Sequence, residues 1–359
     1  MRDKGLLMAD ETLFRDESVF APGYLPKDFM HRNAQLQEIR LSLKPGLRGV
    51  NPVNTLIQGP PGTGKTTAVK YVFSELAETS KKLVSVYINC EDFSTPYAVF
   101  ARIYETVHGI SPPSTGKPLE DVKDSIFTRL KRDERCLIVA LDEIDRLAAE
   151  RNIDRILIDL LKAHSTYGYD KVGIMGITTD EELMASLDEK SRSVYNPTRI
   201  EFKRYAREEV RDVLANRARY GFYDGVLSDR LLREIADKTF ERGDMRFGID
   251  LMRRSALLAE KDSSREIKKR HIEEAMKALP DIRKKEAAET MTEEEKLLLE
   301  LVKESPGEMS GHYYKIFREK TGCGVKRYNE IISKLERLNL IKTEYKEGIR
   351  GRSREIRPA

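Results

Sequence analysis

The sequence predicts an α/β domain with a mostly parallel sheet, then an all-helical block, then a winged helix-turn-helix. Residues 59–67 read GPPGTGKTT, the pattern of a phosphate-binding loop between a strand and a helix. Residues 136–145 read CLIVALDEID, an apolar run that ends in acidic residues. Such a run is typical of a buried parallel strand with carboxylates at its C-terminal end. After Phe202 the strand pattern stops, which predicts that helices follow.

Strand-like and helix-like segments alternate from Asn54 to Phe202, after a polar lead-in. The lead-in contains one predicted helix, 31–43, which Pro45 and Gly46 are expected to end. The alternation favours a parallel sheet covered by helices on both faces. The predicted strands are 55–58, 83–90, 137–141, 172–178 and 200–202. The predicted helices are 66–79, 96–108, 119–131 and 155–164, with a loop at 110–118.

The remainder is predicted to be helical almost to its end. Four helices have apolar residues three and four apart: 207–220, 229–240, 244–260 and 270–279. Residues 292–295 read T-x-x-E, a capping box that begins a new helix. The helices 313–320 and 326–339 and a hairpin over 341–357 follow. The predicted domains are a core with an N-terminal extension (1–202), a helical domain (203–280), a linker (281–290) and a winged helix (291–359).

Charge distribution indicates a basic C-terminal region. The 359 residues carry 64 Lys+Arg and 60 Asp+Glu, a net charge of +4. The segment from Ser310 to Ala359 contains thirteen Lys/Arg and six Asp/Glu, a net charge of +7. More than the whole net excess therefore lies in the last fifty residues, as in a local nucleic-acid footprint.

No segment resembles a signal peptide, and no apolar run approaches the ~20 residues of a membrane span. The cysteines Cys90, Cys136 and Cys323 lack metal-ligand spacing, so we expect reduced structural thiols. These features predict a soluble cytoplasmic protein, associated with the nucleoid and without a membrane partner.

The loop and the acidic strand end together predict an ATPase site that uses ATP or ADP with Mg²⁺. Lys65 is expected to reach the β- and γ-phosphates, and the Thr66 hydroxyl to coordinate Mg²⁺. Asp142 should hold Mg²⁺ through water, and Glu143 should polarise the attacking water as general base. The loop residues expected to bind nucleotide are Pro61, Gly62, Thr63, Gly64, Lys65, Thr66 and Thr67.

Several segments in order resemble the archaeal replication initiator family, the relatives of the origin recognition complex's ATPase subunits and of the cell-division-control helicase loader. The sequence LDEID is typical of AAA+ ATPases. YLPKDFMHR (24–32) precedes the loop, and GDMRFGIDLMRRSALLAE (243–260) lies in the helical block. The resemblance extends from about Leu13 to Arg357. It implies an α/β P-loop AAA+ core, an all-α lid and a C-terminal winged helix-turn-helix.

The resemblance also implies roles for residues outside the loop. His31 and Arg32 match residues that border the adenine pocket. Arg246 matches sensor 2, a lid arginine that contacts the γ-phosphate, a role that suits a forked and always charged guanidinium. Thr179 fills the sensor 1 position, where the family usually has Asn, and is expected to orient a water.

The arginine finger departs from the family pattern. The family often places this arginine just after a serine, but here Ser193 is followed by Val194. Arg192 and Arg199 are the nearby candidates. A missing finger can cost roughly 10³–10⁵ in rate. We therefore expect tight nucleotide binding and slow hydrolysis, as in a nucleotide-state switch.

The basic end is predicted to bind duplex DNA, with a helix in the major groove and a wing on the backbone. The expected contacts are Lys326, Arg327, Asn329, Ser333, Lys334 and Arg337 on the third helix and Arg350, Arg352 and Arg354 on the wing. The resemblance adds a DNA contact from the helix 96–108, where Arg102 is the only obvious cation.

These features predict an ATP-dependent replication initiator that recognises origin duplex DNA. By resemblance it would recruit or load the minichromosome maintenance helicase or other replication proteins, and self-association on DNA is left open. One alternative is a regulatory DNA-binding paralogue with a weakened ATPase, which Thr179 and Val194 favour. The other is an AAA+ remodeller of protein partners, against which the basic wing argues.

Overall fold

The computed structural model describes residues 12–113, 116, 118–278, 291–337, 340–345 and 354–358. The chain divides into two compact units, Met1–Ile272 and Glu273–Ala359. Among the described residues, no helix is both long enough and apolar enough to span a membrane. The three cysteines are free thiols, as expected.

A five-stranded parallel sheet lies at the centre of the first unit, with the strand order β2-β3-β4-β1-β5. The strands are β1 (Thr55–Gln58), β2 (Leu83–Asn89), β3 (Cys136–Asp142), β4 (Val172–Thr178) and β5 (Thr198–Glu201). Asn89 lies opposite Asp142, Asp142 opposite Ile177, and Gln58 opposite Thr178. The carboxyl ends of these strands therefore meet at one edge, where ligands bind in sheets of this kind.

Helices cover both faces of this sheet, as the sequence predicts. Their bounds are α1 (Asn33–Leu47), α2 (Lys65–Thr79), α3 (Pro96–His108), α4 (Leu119–Arg132), α5 (Asp145–Ala149), α6 (Ile153–Leu161), α7 (Ala163–Tyr167), α8 (Leu183–Ser186) and α9 (Glu189–Tyr195). Side chains of β3 alternate between two buried clusters: Val139 packs with the α3, α4 and α6 side, and Ile138 with the α1 and α2 side. This alternation explains why every residue of β3 is buried.

Most predicted helices differ from the structure by about one to three residues at their ends, and two differ in ways that packing or backbone conformation explains. The expectation that Pro45 and Gly46 end the first helix is wrong, because α1 continues to Leu47. Pro45 lies in the last turn, where its carbonyl still accepts the Arg48 N–H at 2.9 Å. A Cβ on Gly46 would lie 3.0 Å from Pro52 Cγ, so close packing holds this turn. The predicted helix 155–164 is two helices, α6 and α7, because the backbone leaves the helical region at Lys162.

A helical block follows β5. It consists of α10 (Arg207–Gly221), α11 (Asp229–Arg242), α12 (Met245–Lys261) and α13 (Lys269–Ala278). The polar lead-in packs against this block through a 3₁₀-helix, Glu17–Phe20. The Phe20 and Phe222 rings lie 4.6 Å apart, and the Arg15 N–H donates to the Gly221 carbonyl at 2.9 Å. The lead-in is therefore anchored to the helices, which its polar sequence does not predict.

From Met291 onward, the described residues of the second unit form three helices followed by two antiparallel strands, the predicted winged-helix order. They are α14 (Glu293–Glu304), α15 (Ser310–Thr321), α16 (Val325–Arg337), β6 (Ile341–Tyr345) and β7 (Arg354–Pro358). Thr292 and Glu295 form the predicted capping box. A buried cluster that includes Leu298, Phe317 and Ile332 forms the core of this unit.

Candidate nucleotide site and candidate DNA interface

The loop between β1 and α2 has the backbone geometry that its glycines predict. Gly59 and Gly62 have φ of 149° and 73°, in the region that favours glycine. A Cβ on Gly59 would lie 2.1 Å from the Phe202 carbonyl oxygen, and one on Gly62 would lie 2.2 Å from Asp244 Oδ1. Only glycine fits at these two places. The loop ends at the N-terminus of α2, where free N–H groups and the helix dipole favour phosphate.

Lys65, the first residue of α2, folds back over the loop. Its Nζ donates to the Gly59 carbonyl at 2.6 Å and to the Pro60 carbonyl at 2.9 Å. Burial lowers the pKa of Lys65 to about 8, while Asp142 partly opposes this shift. The ammonium group is thus held over the loop and is desolvated.

Asp142, at the end of β3, collects three donors. Its Oδ2 accepts the Thr66 hydroxyl at 2.6 Å and the Tyr87 hydroxyl at 2.7 Å. Its Oδ1 accepts the Glu143 N–H at 3.1 Å. The structure therefore joins Thr66 and Asp142, the two predicted Mg²⁺ ligands, from two different elements. No sequence pattern predicts the contact between Asp142 and Tyr87.

Glu143 follows Asp142 at the same edge of the sheet. Its φ is 53°, a left-handed conformation that is uncommon for a residue other than glycine. Partial desolvation raises the pKa of Glu143, and the nearby Glu91 and Asp142 carboxylates add to the shift. A carboxylate with a raised pKa is the chemistry that a general base requires.

Two adjacent threonines lie where β4 ends. Thr178 is buried, its hydroxyl donates to Asp145 Oδ1 at 2.7 Å, and it accepts the Asp180 N–H at 2.9 Å. Thr179, the residue predicted as sensor 1, is exposed just beyond the strand. Thr178 is not among the predicted site residues, although its place as the last residue of a buried apolar strand is a signal that indicates it.

Arg32 contacts the loop through its guanidinium. Its guanidinium donates to the carbonyls of Thr63 at 3.2 Å and Lys203 at 2.8 Å, and it lies 3.6 Å from the centroid of the Tyr205 ring. It therefore links the loop to the segment that leads into the helical block. His31 Nε2 lies 3.1 Å from Asp212 Oδ2 on α10. That both residues border an adenine stays a prediction.

The start of α12 lies against the loop. Asp244 caps the helix by accepting the Arg246 N–H at 2.9 Å, and the two side chains form an ion pair. The positive charge of Arg246 contributes to the lowered pKa of Lys65, which indicates that the two cations are near each other. The two candidates for the arginine finger have different surroundings. Arg192 donates to the Leu187 carbonyl at 2.8 Å, whereas Arg199 is exposed on β5.

In the second unit, several predicted DNA contacts are engaged within the unit itself. Lys334 Nζ donates to both carboxylate oxygens of buried Glu295 at 2.8 Å. Arg327 Nε donates to Glu294 Oε2 at 3.0 Å. These two cations connect α16 to the capping turn of α14, and no sequence pattern predicts these contacts.

The other predicted contacts lie differently. Arg354 Nη2 donates to Asn329 Oδ1 at 3.2 Å, so β7 reaches α16 at this point. Lys326, Asn329 and Ser333 are exposed on α16. Arg337 is the last residue of this helix. Arg350 and Arg352 lie outside the described residues.

Arg102, the cation predicted on the additional DNA-contacting helix, lies on α3. It forms an ion pair with Glu105 on the same helix. Its guanidinium also lies 5.3 Å from the centroid of the Phe93 ring. That α3 touches DNA stays a prediction.

The sheet order, the phosphate loop and the helical block beside it define an ATPase domain of the AAA class. Residues 55–204 match the family described as ATPase family associated with various cellular activities, and residues 211–277 match the Cdc6 AAA+ ATPase-type lid domain. The helical block is therefore a lid. These matches confirm the predicted AAA+ core and lid.

Relatives with assigned names match almost the whole chain. ORC1-type DNA replication protein 2 of Methanosarcina acetivorans is 39% identical, covering 99% of this chain and 96% of that protein. The protein of the same name from Methanothermobacter thermautotrophicus is 38% identical, covering 99% of this chain and 94% of that protein. The chain belongs to the family of ORC1-type DNA replication proteins, as the resemblance predicted.

Solved structures agree with this fold. The structure of the Aeropyrum pernix ORC1 protein in complex with DNA has a TM-score of 0.70 at 27% identity, covering 97% of this chain and 94% of that one. The Aeropyrum pernix ORC2 protein in its ADPNP–ADP complexes has a TM-score of 0.76 at 22% identity, covering 97% and 94%. At 22% identity, the similarity to the ORC2 protein supports the fold and nothing beyond it.

Proposed function

We propose that this protein is an ATP-dependent replication initiator that binds origin duplex DNA and uses slow ATP hydrolysis as a switch. The observation that carries the proposal is the contact between the Thr66 hydroxyl and the Asp142 carboxylate, 2.6 Å apart at the phosphate loop. A hydroxyl from the helix after the loop and a carboxylate from the adjacent strand are the pair that P-loop ATPases use.

The residues at this edge fit Mg²⁺ and nucleotide phosphates. Hydroxyl and carboxylate oxygens are the protein ligands that Mg²⁺ prefers, and the loop offers N–H groups at a helix N-terminus. Thr66 and Asp142 would hold the Mg²⁺, which supplies neutralising charge on the phosphates when bound. Lys65 would exchange its bonds to the Gly59 and Pro60 carbonyls for bonds to phosphate oxygens.

Glu143 would take the proton of the attacking water. Its raised pKa favours proton acceptance, and its place directly after Asp142 puts it beside the phosphate end of the site. Arg246 would contact the γ-phosphate from the lid, since the start of α12 already lies against Gly62. Arg32 would transmit the state of the loop to the lid through its bond to the Lys203 carbonyl.

We expect slow hydrolysis because two accelerating groups differ from the family pattern. Thr179 offers a single exposed hydroxyl at the sensor 1 position, and Val194 occupies the place of the finger. The test is steady-state ATP hydrolysis with saturating Mg²⁺. The proposal expects measurable turnover below about one per second, and faster basal turnover would exclude the switch.

The proposed DNA contacts come from the exposed positions of α16 and the wing. The relatives are named DNA replication proteins, and the Aeropyrum pernix ORC1 protein was solved with DNA. We propose that Lys326, Asn329 and Ser333 face DNA and that Arg354 supports Asn329 through their mutual bond. Recruitment of the minichromosome maintenance helicase is proposed from the family resemblance.

A regulatory DNA-binding paralogue with a weakened ATPase is the second candidate. The exposure of Thr179 and the presence of Val194 favour it. The two candidates differ in whether hydrolysis depends on Glu143. A wild-type protein that binds ATP but hydrolyses none above background would support the second candidate.

A further inference from the structure

Tyr87 is a site residue to which the motifs assign no role. It lies on β2, opposite Ala140 of β3 and two residues before the strand end. Its ring is half-buried beside the α1 and α2 cluster. Its hydroxyl lies 2.7 Å from Asp142 Oδ2, the same oxygen that accepts the Thr66 hydroxyl.

The direction of this hydrogen bond follows from chemistry. An ionised carboxylate only accepts hydrogen bonds, so the Tyr87 hydroxyl must donate. A bond from a neutral donor to a charged acceptor is among the stronger hydrogen bonds in proteins. With the Glu143 N–H on Oδ1, both oxygens of Asp142 are held, and the plane of the carboxylate is fixed.

Lys70 contacts the Tyr87 ring. Its Nζ lies 4.1 Å from the centroid of the Tyr87 ring, within cation–π range. Lys70 and Thr66 are four residues apart on α2, so they lie on the same face of this helix. Helix α2 therefore contributes two groups to this arrangement. The Thr66 hydroxyl contacts Asp142 directly, and Lys70 contacts the Tyr87 ring, whose hydroxyl contacts Asp142.

We propose that Tyr87 is a positioning residue for ATP hydrolysis, which fixes the Asp142 carboxylate toward the Mg²⁺ position shared with Thr66. The proposal rests on the ATPase function proposed above. Groups that hydrogen-bond a metal ligand orient it, and their removal typically costs about 10–100-fold in metal affinity or activity. If Tyr87 served only to pack β2 against α2, its hydroxyl would not change the Mg²⁺ concentration that nucleotide binding and hydrolysis require.

The test compares Tyr87→Phe with wild type in the full-length protein. A fluorescent N-methylanthraniloyl ADP is titrated in EDTA and then with increasing Mg²⁺, and single-turnover ATP hydrolysis is measured over the same Mg²⁺ range. We expect unchanged nucleotide affinity in EDTA and a Mg²⁺ requirement about tenfold higher in both assays. Lys70→Met should shift the Mg²⁺ requirement in the same direction by a smaller factor.

Tyr167→Phe is the matched control, because the Tyr167 hydroxyl also donates to a carboxylate, Glu120, at 2.9 Å. It should match wild type in every assay. The same Mg²⁺ requirement in Tyr87→Phe and wild type would overturn the proposal, as would an equal loss of affinity in EDTA. If Tyr87→Phe does not fold, a wild-type Mg²⁺ requirement in Lys70→Met overturns it.

Failure of the underlying function gives a different result. A wild-type protein that neither binds the fluorescent nucleotide nor hydrolyses ATP would contradict the proposed function itself. Wild-type binding and hydrolysis with no effect of Tyr87→Phe would contradict only the role of Tyr87.

Discussion

The phosphate-loop edge of the sheet and helix α16 of the second unit both carry polar and charged groups, but these groups are held in different ways. At the loop, Lys65 bonds to loop carbonyls and Asp142 bonds to three donors, so the groups are fixed where a ligand would sit. On α16, Lys334 and Arg327 bond to carboxylates of α14, while Lys326 is exposed.

The difference shows that a charged residue in a functional pattern has one of two uses. Convergence on a shared point, as at Asp142, indicates a preorganised site. Pairing with a buried carboxylate, as Lys334 does with Glu295, indicates a structural contact that leaves less charge for a partner. Basic residues on a predicted recognition helix are therefore not equivalent, and mutations should separate them.

The largest expected effect is on hydrolysis in Glu143→Gln. Loss of a general base should lower the single-turnover rate by about 10²–10⁴-fold and leave nucleotide binding intact, because Gln keeps the shape but cannot accept the proton. Rapid-quench measurement of ATP hydrolysis checks this. Glu150→Gln, an exposed acid after α5, is the control. Equal rates in Glu143→Gln and wild type would mean that the ATPase has decayed.

Lys65→Ala should weaken ADP and ATP binding by about 100-fold. The variant removes a charged donor that is already held over the loop, and a charge-assisted hydrogen bond contributes about 1.5–3 kcal/mol. Nucleotide retention by equilibrium dialysis checks this, with Lys82→Ala as the control, because Lys82 is exposed and lies just before the first residue of β2. Normal retention in Lys65→Ala would refute the assignment of the site.

Lys334→Ala should destabilise the second unit by about 1–3 kcal/mol, because buried Glu295 loses its charged partner. Hydrogen exchange of the α14 and α16 amides measures this loss without unfolding the first unit. Ser333→Ala, at the neighbouring exposed position, should leave the exchange rates unchanged. Equal protection in wild type and Lys334→Ala would show that the pair is dispensable.

Nucleotide affinity should also fall by several-fold between pH 7 and pH 9. The pKa of Lys65 is about 8, so the free protein holds the charged form below this pH and loses it above. The last phosphate proton of ADP, with a pKa of about 6–7, is lost mainly at the lower end of this range, and its loss would strengthen binding, so a fall in affinity toward pH 9 reports the lysine. Calorimetry at several pH values checks this, and a constant affinity would contradict it.

Much of the first unit could be predicted because its signals are local in sequence. The loop and the acidic strand end are short patterns, as is the capping box at Thr292 in the second unit, and the strands β1 and β4 have the predicted bounds. The hydrogen bond from Tyr87 to Asp142 could not be predicted. The two residues are 55 positions apart in the sequence, and their contact depends on the register of β2 and β3.

The other features that the sequence does not predict also depend on tertiary packing. The bond from Arg32 to the Thr63 carbonyl and the pairing of Lys334 with Glu295 are tertiary contacts between distant segments. The helix continues past Pro45 because packing around Gly46 outweighs local propensity. Sequence patterns identify which residues can take part in chemistry, but only packing determines which of them are free to do so.

Salt-titrated duplex binding by fluorescence anisotropy tests the initiator proposal most directly. Wild type should bind origin-region DNA more tightly than a scrambled duplex and should have a steep log–log salt slope. Lys326→Ala should reduce that slope by about 0.9. Negligible binding to either duplex at low salt would contradict the account and favour a remodeller of protein partners.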